Sequence, residues 1–353
     1  MADEVRYGVI GTGMMGCEHL RNLALIDGAR VTAIADRNET SRGWGKNFAP
    51  GAEVYDDYRE LLRNAPVDAV VIATPNFTHY EVLQDVFRTD KHVLVEKPLC
   101  TEVEHCRRVV DAAARHPGVV WVGMEYRYIR AVEHLVARVH AGDVGCLHML
   151  AIREHRFPFL PKVDDWNRFN RNTGGTLVEK CCHFFDLMNL ITRQLPVRVY
   201  ASGAQDVNHL DERYGGETPD IIDNAYTIVD YEDGGRALLD LCMFAENSRN
   251  EVEIAATGDN GKLEAFVPAN TVVWSGRNGG TETRQFELDE QIRYAGAHHG
   301  STYYEHMGFL AAARSGGAPA VSAFDGALAV AVGAAAEQSI REKRPIELRE
   351  LGF

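Results

Sequence analysis

The cysteines lack any pattern: seven in 353 residues, an odd number, with no Cys-x-x-Cys spacing. Such usage argues against both a disulfide framework and a zinc ribbon, and the adjacent Cys181 and Cys182 suit neither a framework disulfide nor a tetrahedral metal site. Reduced thiols, no metal and a cytoplasmic protein are expected. Positive charge is short, with 37 Lys and Arg against 51 Asp and Glu and a formal net charge of −14. A chain this acidic repels a phosphate backbone, so nucleic acid is not an expected partner. No apolar run approaches the roughly 18 residues that suggest a membrane span, and the small-residue stretch from Ala327 to Ala336 reads as a packed helix. The first apolar strand starts at Val5, which leaves no room for a signal peptide. There is no internal repeat and no low-complexity linker.

What is present is ordinary globular material, 45% hydrophobic and 25% charged, in a chain long enough for two domains. Strand and helix signals alternate from Val5 to Gly123. Strands are expected at Val5–Ile10, Val31–Ala35, Glu53–Tyr55, Ala69–Ala73, His92–Val95 and Val119–Gly123, with helical stretches between them. That rhythm implies right-handed βαβ units on a parallel sheet. Near residue 124 it changes. Eight β-rich segments follow between about 145 and 288, several separated by turn sequences such as Glu232-Asp233-Gly234-Gly235 and Gly258-Asp259-Asn260-Gly261. Helices near Thr302–Ser315 and Asp325–Arg341 close the chain. The expected class is α/β: an N-terminal doubly wound Rossmann sheet over residues 1–124, then an α+β domain with an open, largely antiparallel sheet over 125–353. The last helix is expected to pack back on the Rossmann domain.

Gly11, Gly13 and Gly16 would mean little alone. Here a strand precedes them, a helix follows, and Asp36 ends the next strand 20 residues after Gly16. That is the context a dinucleotide-binding turn requires: Gly11 for the tight turn, Gly13 for approach of the pyrophosphate, and Gly16 for close helix–strand packing. Asp36 would accept hydrogen bonds from ribose hydroxyls and repel a 2′-phosphate, which favours NAD. Arg37 beside it leaves NADP open.

Strand His92–Val95 delivers Glu96-Lys97-Pro98 at its carboxyl end, where ligands of open α/β sheets bind. Taken alone, a lysine at a strand end is most often simply solvated. A second element, Thr176 to Ile191, reads as one buried helix. On it Glu179, His183 and Asp186 fall at i, i+4 and i+7, which makes one polar stripe. Such a stripe is either a narrow solvent face or the wall of a cofactor cleft.

These motifs together resemble the glucose–fructose oxidoreductase / inositol dehydrogenase / MocA family over nearly the whole chain. The residues that carry the likeness are Gly11-Thr12-Gly13-Met14-Met15-Gly16, Ala73-Thr74-Pro75-Asn76-Phe77-Thr78-His79, and Val93-Leu94-Val95-Glu96-Lys97-Pro98. Gly174-Gly175 followed by Glu179 and His183 completes the set. The resemblance implies that Lys97 and His183 are the catalytic pair. In alcohol oxidation His183 would take the hydroxyl proton and Lys97 would hold the oxygen, with Glu179 as a third catalytic group. It also implies that the first glycine motif, Asp36, Arg37, Thr74, Pro75, Asn76, His79, Glu96 and Lys97 surround the cofactor. The family usually carries Asp where Glu179 stands and a small residue at Cys181, departures that reshape the pocket.

The stretch Arg153 to Asn172 combines arginines, aromatics and asparagines, the planar faces and bidentate groups that suit a sugar or polyol ring. Candidate substrate contacts are Arg127, His155, Trp166, Arg168, Glu179, His183 and, in a late loop, His299. The implied activity is reversible oxidation of a secondary hydroxyl on a cyclic polyol, sugar or glycoside, by a homodimer or homotetramer. The alternatives are an NADPH-dependent reductase of a keto-sugar or related carbonyl, NAD-dependent glycoside hydrolysis, and a non-catalytic NAD(P)-binding regulator. Regulators of this kind commonly lose the lysine or the histidine, and both are present here.

Overall fold

Apolar strands form where both faces of a sheet are covered, and the first 125 residues supply a six-stranded sheet whose central strands are of this kind. In the computed structural model, which describes residues 4–353, the six are β1 (Val5–Ile10), β2 (Ala29–Ala35), β3 (Glu53–Tyr55), β4 (Ala69–Ile72), β5 (His92–Glu96) and β6 (Val120–Gly123). All pairs are parallel and the order is β3-β2-β1-β4-β5-β6. This is the doubly wound Rossmann order, and its direction reverses between β1 and β4. β4 is buried at every position, as are β5 after His92 and β1 apart from Arg6. The helices Met14–Leu23, Glu39–Phe48, Tyr58–Asn64, His79–Val86 and Val103–Ala113 connect the strands.

The chain divides into two compact units. The first runs through Glu125 and also takes in Lys162–Trp166 and Leu288–Ala327. The late segment adds the helix Ser301–Ser315, whose Phe309 ring sits edge-on to Tyr7 and Trp121, 6.1 Å from each.

The second unit comprises Tyr126–Pro161, Asn167–Glu287 and Leu328–Phe353. Its strands are β7 (Leu147–His155), β8 (Pro196–Ala204), β9 (Asn224–Tyr231), β10 (Arg236–Cys242), β11 (Val252–Gly258), β12 (Gly261–Val267), β13 (Thr271–Gly276), β14 (Thr281–Gln285) and β15 (Ile346–Glu347). They form one nine-stranded sheet, β14-β13-β12-β11-β7-β10-β9-β8-β15. β7 and β10 pair parallel and every other pair is antiparallel. Two-residue β15 carries too little pattern to be expected from sequence. Residues alternate buried and outward along β9 and β10, as a sheet with one covered face requires. Helices Arg130–His140 and Cys182–Thr192 lie in the same unit, and Ser339 accepts a hydrogen bond from the Ala201 amide of β8 at 3.0 Å.

One helical expectation is corrected. Thr176 to Ile191 is not a single rod but two helices, Thr176–Glu179 and Cys182–Thr192. At the joint the Cys181 amide reaches back five residues to the Thr176 carbonyl, at 3.4 Å. A widened turn of this kind kinks a helix. Glu179 therefore ends one helix, and only His183 and Asp186 share the next.

Candidate active site

The turn after β1 is shaped by what its glycines touch. Gly11 has φ +89°, and a Cβ there would lie 2.5 Å from the Ala73 carbonyl oxygen. A Cβ on Gly16 would meet the Gly11 oxygen at 1.9 Å. A Cβ on Gly13 would meet nothing within 4 Å, which leaves one face of the turn open. The first turn of helix Met14–Leu23 carries no acid and its cap makes no side-chain bond. An open glycine turn feeding an uncapped helix start fits a pyrophosphate. Met14 is exposed, Met15 is half-buried, and Thr12 is buried with its hydroxyl on the Ser41 carbonyl at 2.8 Å. Asp36 sits directly beside the turn. One oxygen accepts the Thr12 amide at 2.7 Å, the other the Asn38 amide at 2.8 Å. The neighbouring Arg37 is exposed.

After β4, Thr74 and Pro75 are half-buried and Asn76 is buried. His79 is fully buried, with its ring nitrogens 2.8 Å from the Pro98 carbonyl and 3.0 Å from the Thr74 carbonyl. It ties the loop after β4 to the loop after β5, and burial lowers its pKa.

At the end of β5, Glu96 is buried while Lys97 is half-buried. Glu96 accepts from the Lys97 amide at 3.1 Å and pairs with His19 at 2.8 Å. The other ring nitrogen of His19 meets His306 at 2.9 Å. Burial pushes the Glu96 carboxyl up, yet the His19 bond and the charges of His19 and Lys97 hold it below the usual range. Nearby, burial pushes Glu125 up to about 7, with the Glu96 charge adding to the rise against His298 and Lys97. His298 lies 2.8 Å from Glu18 and 3.7 Å from Glu125. For Glu18, burial is outweighed by bonds from His298, the Ala297 amide and Thr302, so its pKa falls to about 2. Lys97 thus stands among ionisable groups whose charges are set by one another.

In the second unit, His183 is buried and its ring lies parallel to Tyr126, 4.4 Å apart at 8°. Arg127, the next residue, makes a two-pronged pair with Asp186, at 2.6 and 2.5 Å. The short turn Glu125–Tyr128 therefore places consecutive side chains on consecutive turns of the helix that carries His183. Glu179 and Lys180 are both buried. Lys180 bonds the Tyr126 hydroxyl at 3.0 Å and Glu154 at 2.9 Å, and Arg156 approaches the same Glu154 oxygen at 3.4 Å. Burial and Arg156 push the Lys180 ammonium down, but Glu154 and Tyr126 outweigh them and hold it above the usual value.

Among the other substrate candidates, His155 pairs with Asp240 at 3.1 Å across β7 and β10. Arg168 is buried and bonded to Glu212 at 2.8 Å. Trp166 belongs to the first unit, its ring edge-on to Phe77 at 6.2 Å. His299 has a left-handed backbone at φ 54°, in the same loop as His298. Sequence reasoning overlooked Glu18, His19, Glu125, His306, Tyr126 and Lys180, and gave His298 only as the neighbour of His299 in the late loop. The available signal was polar residues inside otherwise apolar stretches, such as His19 between Cys17 and Leu20.

The fold and the open glycine turn define a dinucleotide-binding protein with a β-sheet second unit. The family model for the N-terminal, NAD-binding Rossmann domain of the Gfo/Idh/MocA oxidoreductases matches residues 5–124. That for the family's C-terminal α/β domain matches residues 136–348. The chain is 30% identical to myo-inositol 2-dehydrogenase of Thermotoga maritima, over 98% of this chain and 99% of that one. It is also 30% identical to inositol 2-dehydrogenase 2 of Saccharopolyspora erythraea, over 98% and 96% respectively. The crystal structure of a probable dehydrogenase from Thermotoga maritima superposes with a TM-score of 0.80, at 29% identity over 98% of this chain and 100% of that one. The chain belongs to the Gfo/Idh/MocA oxidoreductase family. It is a dehydrogenase acting on CH–OH groups, with an NAD-binding domain.

Proposed function

We propose that the protein oxidises one secondary hydroxyl of a cyclic polyol, sugar or glycoside, with NAD preferred over NADP. Lys97 and His183 serve the same hydroxyl. Bound NAD⁺ would supply the hydride acceptor. The Lys97 ammonium holds the substrate oxygen and favours the charge that develops on it, while the His183 imidazole takes the hydroxyl proton. Glu179, one methylene longer than the Asp usual in the family, lines the substrate side. Arg127, Trp166, Arg168 and His299 are proposed around the ring, whereas His155 alternates to the outward face of β7, paired with Asp240 and opposite Glu154, and is not kept as a substrate contact. His79, Thr74, Pro75, Asn76 and Glu96 shape the nicotinamide end. The observation that carries this reading is a lysine leaving the carboxyl end of β5, in a full-length relative of inositol dehydrogenases that also keeps a buried, ring-stacked His183.

The test uses purified protein, NAD⁺ and a panel of inositols, aldoses and glycosides, read by absorbance of reduced cofactor. Lys97→Ala and His183→Ala should each lower kcat/KM on the best panel substrate by about 10²–10⁴-fold, and His183→Ala should leave NADH binding intact. Near-normal turnover in either variant would remove that residue from the chemistry. The odd, unpatterned set of seven cysteines supports a cytoplasmic location. A homodimer or homotetramer is proposed through the outward face of the nine-stranded sheet.

A further inference from the structure

The chemistry above assigns roles to Lys97, His183 and Glu179, but not to the buried cluster beside His183. Tyr126 is buried under the imidazole, parallel to it. Its own position is fixed on three sides. Lys180 holds its hydroxyl at 3.0 Å and lies over the ring, with Nζ 5.0 Å from the centroid. Phe184 meets it edge-on at 5.6 Å. Arg127, its chain neighbour, is fastened to Asp186. Lys180 is anchored in turn to Glu154 on β7, which it shares with Arg156, and Arg156 also reaches Glu251 at 3.7 Å. A rigid line of contacts thus runs from β7 through Lys180 and Tyr126 to His183. The helix kink at Lys180–Cys181 falls at the residue drawn into that line.

We propose that Tyr126, braced by Lys180 on Glu154, is a positioning residue that fixes the orientation of the His183 imidazole for proton transfer. The inference rests on His183 being the base. A flat ring beside an imidazole leaves it little freedom to turn about its side-chain bonds, and hydrogen-bond geometry to a substrate hydroxyl tolerates little error. A misplacement of about 1 Å costs on the order of 10²-fold in rate. The ring face does the positioning, and the hydroxyl serves only to hold the ring. The two functions are therefore separable by substitution.

The experiment compares Tyr126→Phe, Tyr126→Leu, Lys180→Met and His183→Gln in the full-length protein, with NAD⁺ and the panel polyol that wild type oxidises fastest. Readouts are kcat, the KM for each substrate, the primary deuterium isotope effect, NADH binding and thermal unfolding. Tyr126→Leu should lower kcat by about 30- to 100-fold with KM for NAD⁺ and NADH binding unchanged, and should raise the isotope effect as the chemical step becomes limiting. Tyr126→Phe keeps the ring and loses only the Lys180 bond, so its kcat should fall by about 5-fold, like that of Lys180→Met and well short of the leucine variant. A folded Tyr126→Leu with kcat within about 3-fold of wild type would overturn the proposal. So would a Tyr126→Phe that falls as far as the leucine variant. Should Tyr126→Leu not fold, Lys180→Met carries the test: a loss of about 5-fold or more in kcat supports the proposal and an unchanged kcat overturns it. His183→Gln separates the two levels. If it retains turnover, the assignment of the base fails, whereas an inactive His183→Gln beside an unaffected Tyr126→Leu sinks the positioning role alone.

Discussion

Asp36 does two things with one carboxylate. It accepts the amides of Thr12 and Asn38, and so holds the glycine turn while presenting negative charge where the adenosine ribose of a dinucleotide would lie. Asp36→Ser should lower the ratio of kcat/KM for NAD⁺ over NADP⁺ by about 10-fold or more, because the repulsion of a 2′-phosphate disappears while Arg37 remains. Initial rates with the two cofactors check this, and an unchanged ratio would rule out the role. The place of Asp36, just past β2 and 20 residues after Gly16, was legible from the glycine turn, whereas Lys97, just past β5, was singled out only by the family resemblance. Tyr126 and Lys180 were not legible, since their importance depends on which ring and which carboxylate they meet. Nothing in Glu125-Tyr126-Arg127-Tyr128 announces that the second residue lies under His183.

At the scale of elements, strand positions followed the apolar runs closely, and the helix over Thr176–Ile191 did not. Its apolar circumference reads as one rod, yet Lys180 is drawn to Glu154 and the helix yields there. The start of the same element is set by Gly175, at φ +101°, where a Cβ would fall 2.3 Å from a Glu337 oxygen. Glu337 accepts the Leu177 amide at 3.0 Å and is buried, which raises its pKa to about 7. The folded state thus favours the protonated form relative to an unfolded chain at 4.5. The stability this confers is complete below about pH 4.5 and is lost as pH rises through about 7, a difference of at most about 3 kcal/mol. Glu337→Gln keeps the acceptor and removes the titration. Relative to wild type it should gain stability between pH 5 and pH 8, measured by urea unfolding at both values. A variant whose difference from wild type is the same at both pH values would contradict the assignment.

For the molecule as a whole, the outward face of the nine-stranded sheet stands out. Tyr200, Ile228 and Leu238 lie side by side across β8, β9 and β10, with Tyr226 on the same face of β9 and Met149 beside β10 on β7. Tyr226 is 63% and Met149 58% exposed. A contiguous apolar patch on a broad sheet favours association. Light scattering at micromolar concentration should give a dimer or tetramer, and Tyr226→Glu with Ile228→Glu should lower the mass toward that of one 39.2 kDa chain. A wild-type monomer would refute the assembly. Among the described residues no helix is long and apolar enough to cross a membrane.

Sequence by itself determined the Rossmann order of elements, the nucleotide turn and the antiparallel character of the second sheet. Each of these rests on local periodicity and on residues whose backbone needs are fixed within a few positions. Tertiary structure alone decided that residues 288–327 join the first unit, that His306 meets His19 behind Glu96, and that Tyr126 lies under His183. Those pairings depend on burial shared by segments far apart in the chain, and a buried charge or ring is matched by whatever the fold brings beside it, which no spacing along the sequence encodes.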